Sequence, residues 1–278
     1  MQWVSSGSSS HTLLMRLGWF FHVQLKGNVD LISQRTGLAV GTLRRYMQHD
    51  TEQVAAGFGP HRLPIVLKIL DGLGVNPARL AIALYYSDDE PTFWRLMSST
   101  PCIEERFCLQ AGAEAAPKVD RRLIRMEAEG APPIQPVVEQ RRGRFTSPLQ
   151  ARFTWFLADR MKGRIEELHG KTGVAPATLR RYCETEGAIE LRSGPQRLKP
   201  FLDILFALKV SPPKLVVASH YSGNDDSFWM IMSSTLCAEE ALTFRGQCDQ
   251  TRIERKLYRL EDTPAPPSRS PLTAAWGT

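Results

Sequence analysis

Six arginines carry the most suggestive chemistry in this sequence. Arg44 and Arg45 lie in TGLAVGTLRRY (36–46), and Arg180 and Arg181 lie in its near copy TGVAPATLRRY (172–182). Eight of the eleven positions are identical, at an offset of 136 residues. Arg62 and Arg197 sit in a second repeated pair, GPHRL (59–63) and GPQRL (194–198). A guanidinium is a planar fork of N–H donors. It matches the O6 and N7 acceptors of guanine in a major groove, and it matches phosphate oxygens. Two repeated arginine segments therefore suit nucleic acid. The other reading is a solvated helix face on a domain that binds protein.

Other reactive residue types show no comparable arrangement. The five cysteines are odd in number and contain no C-x-x-C pair, which argues against a disulfide framework and a zinc module. Cys102 and Cys237 read as small buried residues. The six histidines have no ligand spacing. Ser98-Ser99-Thr100 and Ser233-Ser234-Thr235 read as capping chemistry, because no local acid–base partner is arranged with them. No P-loop, dinucleotide fingerprint or metal-hydrolase motif occurs. The chain is thus expected not to be an enzyme and to need no cofactor.

The repetition runs well beyond the arginines. FWRLMSSTPCIEE (93–105) matches FWMIMSSTLCAEE (228–240) at nine of thirteen positions, and DRRLIRME (120–127) matches ERKLYRLE (254–261). The sequence divides into a first repeat at 12–130, a proline-containing linker at 131–147, a second repeat at 148–263 and a tail at 264–278. Each repeat is expected to be a small domain with its own core, and the tail to be disordered.

Within a repeat the apolar spacing is helical. Phe153, Phe156 and Leu157 form one stripe, and Leu202, Leu205 and Leu208 another. Gly173 suits a left-handed helix stop and Pro176 the first turn of the next helix. Asn76-Pro77 and Ser211-Pro212 read as an N-cap followed by proline. Phe93-Trp94 and Phe228-Trp229 read as core that closes an extra helix, with Thr100 or Thr235 capping the next. Val119, Leu123 and Met126, against Ile253, Leu257 and Leu260, read as a final helix that is either core or a seam. No strand alternation is sustained, so the expected class is all-α.

Placing Gly37 and Gly173 at a turn between two short helices gives a helix-turn-helix. Apolar residues fall where such a pair needs them: Ile32, Leu38, Leu43 and Tyr46, and Leu168, Val174, Leu179 and Tyr182. With Pro60, Arg62 and LKILDGLGVNPARL (67–80), and with Pro195, Arg197 and LDILFALKVSPPKL (202–215), each repeat resembles the phage-repressor family, the lambda-repressor-like Cro/CI type. Two departures stand out. The loop after the second helix is longer, and the FW segment together with the residues after it forms a helical C-terminal extension. Ser33 obeys the family's small residue at the helix crossing; His169 does not, so the second copy is expected to read more weakly.

The resemblance implies double-stranded DNA as the partner. DNA-binding positions would be Val40, Gly41, Thr42, Arg44 and Arg45, and Pro176, Ala177, Thr178, Arg180 and Arg181. Arg45 and Arg181 would reach bases, Arg44 and Arg180 bases or phosphates, and Arg62 and Arg197 phosphates. A transcription regulator results in which one chain acts as a covalent pseudo-dimer, with recognition helices in successive major grooves roughly 34 Å apart. The alternative is a protein-interaction adaptor, an antiactivator or polymerase-associated factor, that keeps the scaffold without base readout. RNA polymerase or another regulator is then the protein partner, and the chain works alone as a pseudo-dimer or as a homodimer. A net charge of +6 and a pI near 9.2 are compatible with a polyanionic partner. No apolar run approaches the ~18 residues of a membrane span, and the first residues lack the features of a signal peptide. A cytoplasmic, nucleoid-associated location is expected.

Overall fold

The computed structural model describes residues 9–112, 114–127, 148–184, 194–246 and 251–261. The linker at 131–147 and the tail at 264–278 lie outside them. Among the described residues both repeats follow one order of helices, apart from one short helix described only in the first. A long helix opens each, α1 (Ser10–Leu25) in the first. Ser9 caps it by accepting from the Thr12 N–H at 3.2 Å, and Leu13, Leu17, Phe20 and Phe21 bury its inner side. Then come α2 (Val29–Thr36), α3 (Val40–Tyr46), the short α4 (Thr51–Ala55), α5 (Leu63–Leu73), α6 (Pro77–Tyr86) and α7 (Glu90–Ser98). Asn76 caps α6 as its position suggests, accepting from the Ala78 and Arg79 N–H groups. Phe93 of α7 is fully buried against Trp19 and Phe20 of α1.

The chain is not all-α. After α7 it forms a hairpin, β1 (Thr100–Leu109) and β2 (Lys118–Arg125). The second repeat gives α8 (Pro148–Met161), α9 (Ile165–Thr172), α10 (Pro176–Cys183), α11 (Leu198–Ala207), α12 (Pro212–Tyr221), α13 (Asp225–Ser233), β3 (Thr235–Arg245) and β4 (Thr251–Arg259). All four strands join one antiparallel sheet in the order β2-β1-β3-β4. Thr100 and Thr235 start strands and cap no helix. The stripe Val119, Leu123 misled because a spacing of four residues keeps one face of a helix and also one face of a strand. Alternation is masked in β1 as well, since Pro101, Cys102, Ile103 and Glu104 are all buried.

The sheet is where the repeats meet. Cys102 stands directly opposite its own repeat equivalent, Cys237, so a local two-fold axis passes between them. The contacts around it are reciprocal. Arg259 holds Glu104 with two hydrogen bonds of 2.8 and 3.0 Å, and Arg125 holds Glu239 with two of 2.6 and 2.9 Å. These guanidiniums keep both carboxyls below the usual carboxylate range. Asn76 and Tyr221 converge on Glu127, while Tyr86 donates to Glu261 and lies 3.4 Å from Ser211. Helix α6 packs along α12, and Ser10 of α1 donates to Asp203 of α11 at 2.6 Å. One apolar core runs through both repeats, from Leu13 to Ala238.

Candidate nucleic-acid interface

Two short helices and a glycine build the arginine-bearing unit of each repeat. Gly37 and Gly173 end α2 and α9 with φ of 66° and 68°, the left-handed region where a Cβ is unwelcome. Thr36 Oγ1 donates to the Ile32 carbonyl and accepts from the Leu38 N–H; Thr172 does the same with Leu168 and Val174. Across the first turn, Ser33 Oγ donates to the Leu38 carbonyl at 2.7 Å. His169 Nδ1 lies 3.0 Å from the Val174 carbonyl, the same contact made by a larger side chain. Its ring is exposed, outside the helix crossing. The second turn is therefore built like the first.

Leu43 and Tyr46 pin α3 into the core, and Leu179 and Tyr182 pin α10; all four are buried. This leaves Gly41, Arg44 and Arg45 exposed on α3, and Ala177, Arg180 and Arg181 exposed on α10. Val40, Thr42, Pro176 and Thr178 are half-buried beside them. Arg180 approaches Glu166 at 3.6 Å, a surface pair worth little in water.

Each tyrosine does a second job. The Tyr46 hydroxyl accepts from the Arg62 N–H at 3.2 Å, and the Tyr182 hydroxyl accepts from the Arg197 N–H at 3.2 Å. Burial pushes the Tyr46 phenol up to about 12, so it stays neutral in this role. Helices α3 and α10 are thus tied to the two arginine loops, and these loops are tied to each other. Arg62 and Arg197 form an antiparallel bridge, flanked by hydrogen bonds from Leu63 N to Gln196 O (3.0 Å) and from Leu198 N to His61 O (2.8 Å). Both arginines are exposed. A cleft of about 630 Å³ opens beside them, lined by Phe58, His61, Gln196 and Lys199 among others, with no acidic residue among the described residues of its wall.

No family model, curated protein or solved structure matches the chain.

The residues expected to touch DNA are exposed or half-buried on α3, on α10 and in the two loops, and the fold draws Arg62 and Arg197 together on the two-fold axis. The bridge was missed by sequence reasoning. Its only trace is that GPHRL and GPQRL are repeated, which says nothing about their meeting. Among the described residues, no group of three His, Cys, Asp or Glu is placed to hold a metal ion, and no helix is long and apolar enough to cross a membrane.

Proposed function

We propose that the chain is a DNA-binding transcription regulator that acts as a covalent pseudo-dimer. The observation that carries this reading is the Arg62–Arg197 bridge on the local axis, with an arginine-bearing helix tied to it on each side. Duplex DNA has two-fold axes of its own. A pair of reading heads related by a two-fold meets two half-sites in the same way. Arg62 and Arg197 grip phosphates near the centre of the site, and Arg44, Arg45, Arg180 and Arg181 enter the flanking major grooves. A nucleoid-associated location is the consequence. Val40, Gly41, Pro176 and Ala177 offer no side-chain hydrogen bond to a base, so backbone grip outweighs base code. That feature is also what favours the second reading, a protein-interaction adaptor on the same scaffold.

Salt separates the two. Each neutralised phosphate contributes about −0.9 to the slope of log affinity against log salt, so phosphate contacts from Arg44, Arg62, Arg180 and Arg197 give a slope of about −3.6. Arg62→Ala with Arg197→Ala shallows that slope by about 2. A duplex affinity indifferent to salt, or none at low salt, sinks the DNA reading and leaves the adaptor.

A further inference from the structure

The two hairpins reach past the body. Strands β1 and β3 pair only over Thr100–Glu104 and Thr235–Glu239. Beyond those residues each hairpin continues as a two-stranded ribbon, and the antiparallel register sends the two in opposite directions. From Leu109 at one end to Arg245 at the other, the sheet spans roughly 50 Å at ~3.3 Å per residue.

Its two faces differ in charge. One face turns Ile103, Leu236 and Ala238 into the core against α6, α7 and α13. Further out on that side lie Lys118, Arg122, Arg252 and Lys256. Glu105, Asp120, Glu240 and Glu254 alternate with them, so cations and acids are equal in number. The opposite face carries Arg106, Arg121, Arg125, Arg245, Arg255 and Arg259, all exposed. Its only described acids are Glu104 and Glu239, both buried beneath the arginines that bind them. Arg121 also approaches Glu104 at 3.6 Å and Arg255 donates to Glu239 at 3.2 Å, so four of the arginines share two carboxylates, while Arg106 and Arg245 pair with neither. The duplication kept Arg121 as Arg255 and Arg125 as Arg259; the remaining arginine sits on β1 in one ribbon and on β3 in the other.

We propose that this outer face is a second nucleic-acid surface, which grips the phosphate backbone of a duplex. Every cation on it is arginine, the side chain whose fork fits phosphate. Its length exceeds one turn of duplex, roughly 34 Å. Single strands are disfavoured, because they are held by stacking on aromatic rings and this face presents none: Phe107, Phe244 and Tyr258 all lie on the other side. The grip is independent of sequence, since ribbons that meet only phosphates read no bases. Helices α3 and α10 pack on α1, α2, α8 and α9, away from the sheet. One chain then holds two duplex segments, one read and one gripped.

The test uses the full chain carrying Arg44→Ala, Arg45→Ala, Arg62→Ala, Arg180→Ala, Arg181→Ala and Arg197→Ala, so that binding through α3, α10 and the two arginine loops is removed. A labelled 30-base-pair duplex of arbitrary sequence is titrated at low salt. Adding Arg106→Glu and Arg245→Glu should weaken the remaining binding about tenfold or more by reversing two charges, with the melting temperature unchanged. Arg106→Lys with Arg245→Lys should restore most of it. The proposal is overturned if the charge reversal leaves duplex affinity unchanged. It is equally overturned if oligo-dT or poly-glutamate binds this background more tightly than the duplex, which would give the face to single strands or to acidic protein. Failure of the recognition helices to bind DNA in the parent chain would sink the proposed function alone and leave this result standing.

Discussion

Expressed apart, residues 1–135 and 136–278 should each lose the cooperative unfolding of the intact chain, and an equimolar mixture should recover it. Separation uncovers Ile103, Leu236, Ala238 and the facing sides of α6 and α12. It also takes Arg259 from Glu104 and Arg125 from Glu239. Uncovering a single Leu-sized side chain costs about 1.5–3 kcal/mol. Four of them amount to about 6–12 kcal/mol, the size of a whole domain's stability. Thermal melts followed by circular dichroism, with size-exclusion chromatography of the mixture, read the outcome directly. Two halves that each melt cooperatively near the temperature of the intact chain would show that the shared sheet and core contribute little.

The second large effect concerns the bases. Arg45 and Arg181 occupy equivalent exposed positions, and each is well placed to donate to a base from its helix. A bidentate arginine–guanine pair discriminates by about 1–3 kcal/mol. Arg45→Ala and Arg181→Ala should therefore each relax the preference for one guanine, in different half-sites. Their losses should add, because half-sites in successive major grooves would lie about one duplex turn apart. Val40 and Gly41 differ from Pro176 and Ala177, so the half-sites should be related without being identical. Because His169 makes the contact that Ser33 makes, the two losses should be similar in size. Affinities against a panel of singly substituted duplexes supply the measurement. Equal weakening across the whole panel would assign both arginines to phosphate.

Much of the α2–α3 and α9–α10 units is legible in the sequence because it depends on local rules. Gly37 and Gly173 take the left-handed conformation that only a glycine adopts cheaply. Leu43, Tyr46, Leu179 and Tyr182 are buried at the spacing a short helix needs to pin itself. Phe93 and Phe228 close the extra helix onto α1 and α8 through Trp19 and Trp155. The sheet was hidden for two physical reasons. Val119 and Leu123 satisfy the helical and the extended period together, and β1 is buried on both faces near the axis, which erases its alternation. The Arg62–Arg197 bridge was hidden for a third. It is made by backbone atoms of two loops about 135 residues apart, and no local period encodes a pairing at that distance. Sequence repetition located the six arginines; only the fold shows that two of them meet.

In the proposed function one chain presents two recognition helices to one duplex. Bound duplexes are to be selected from a random pool and the selected site probed by guanine methylation protection with one chain per duplex. Two protected major-groove tracts are expected on one face of the helix, centred about 10 base pairs apart. Arg45→Ala should erase protection in one tract and Arg181→Ala in the other. A single protected tract, or two tracts that appear only when two chains bind, would contradict the proposed function.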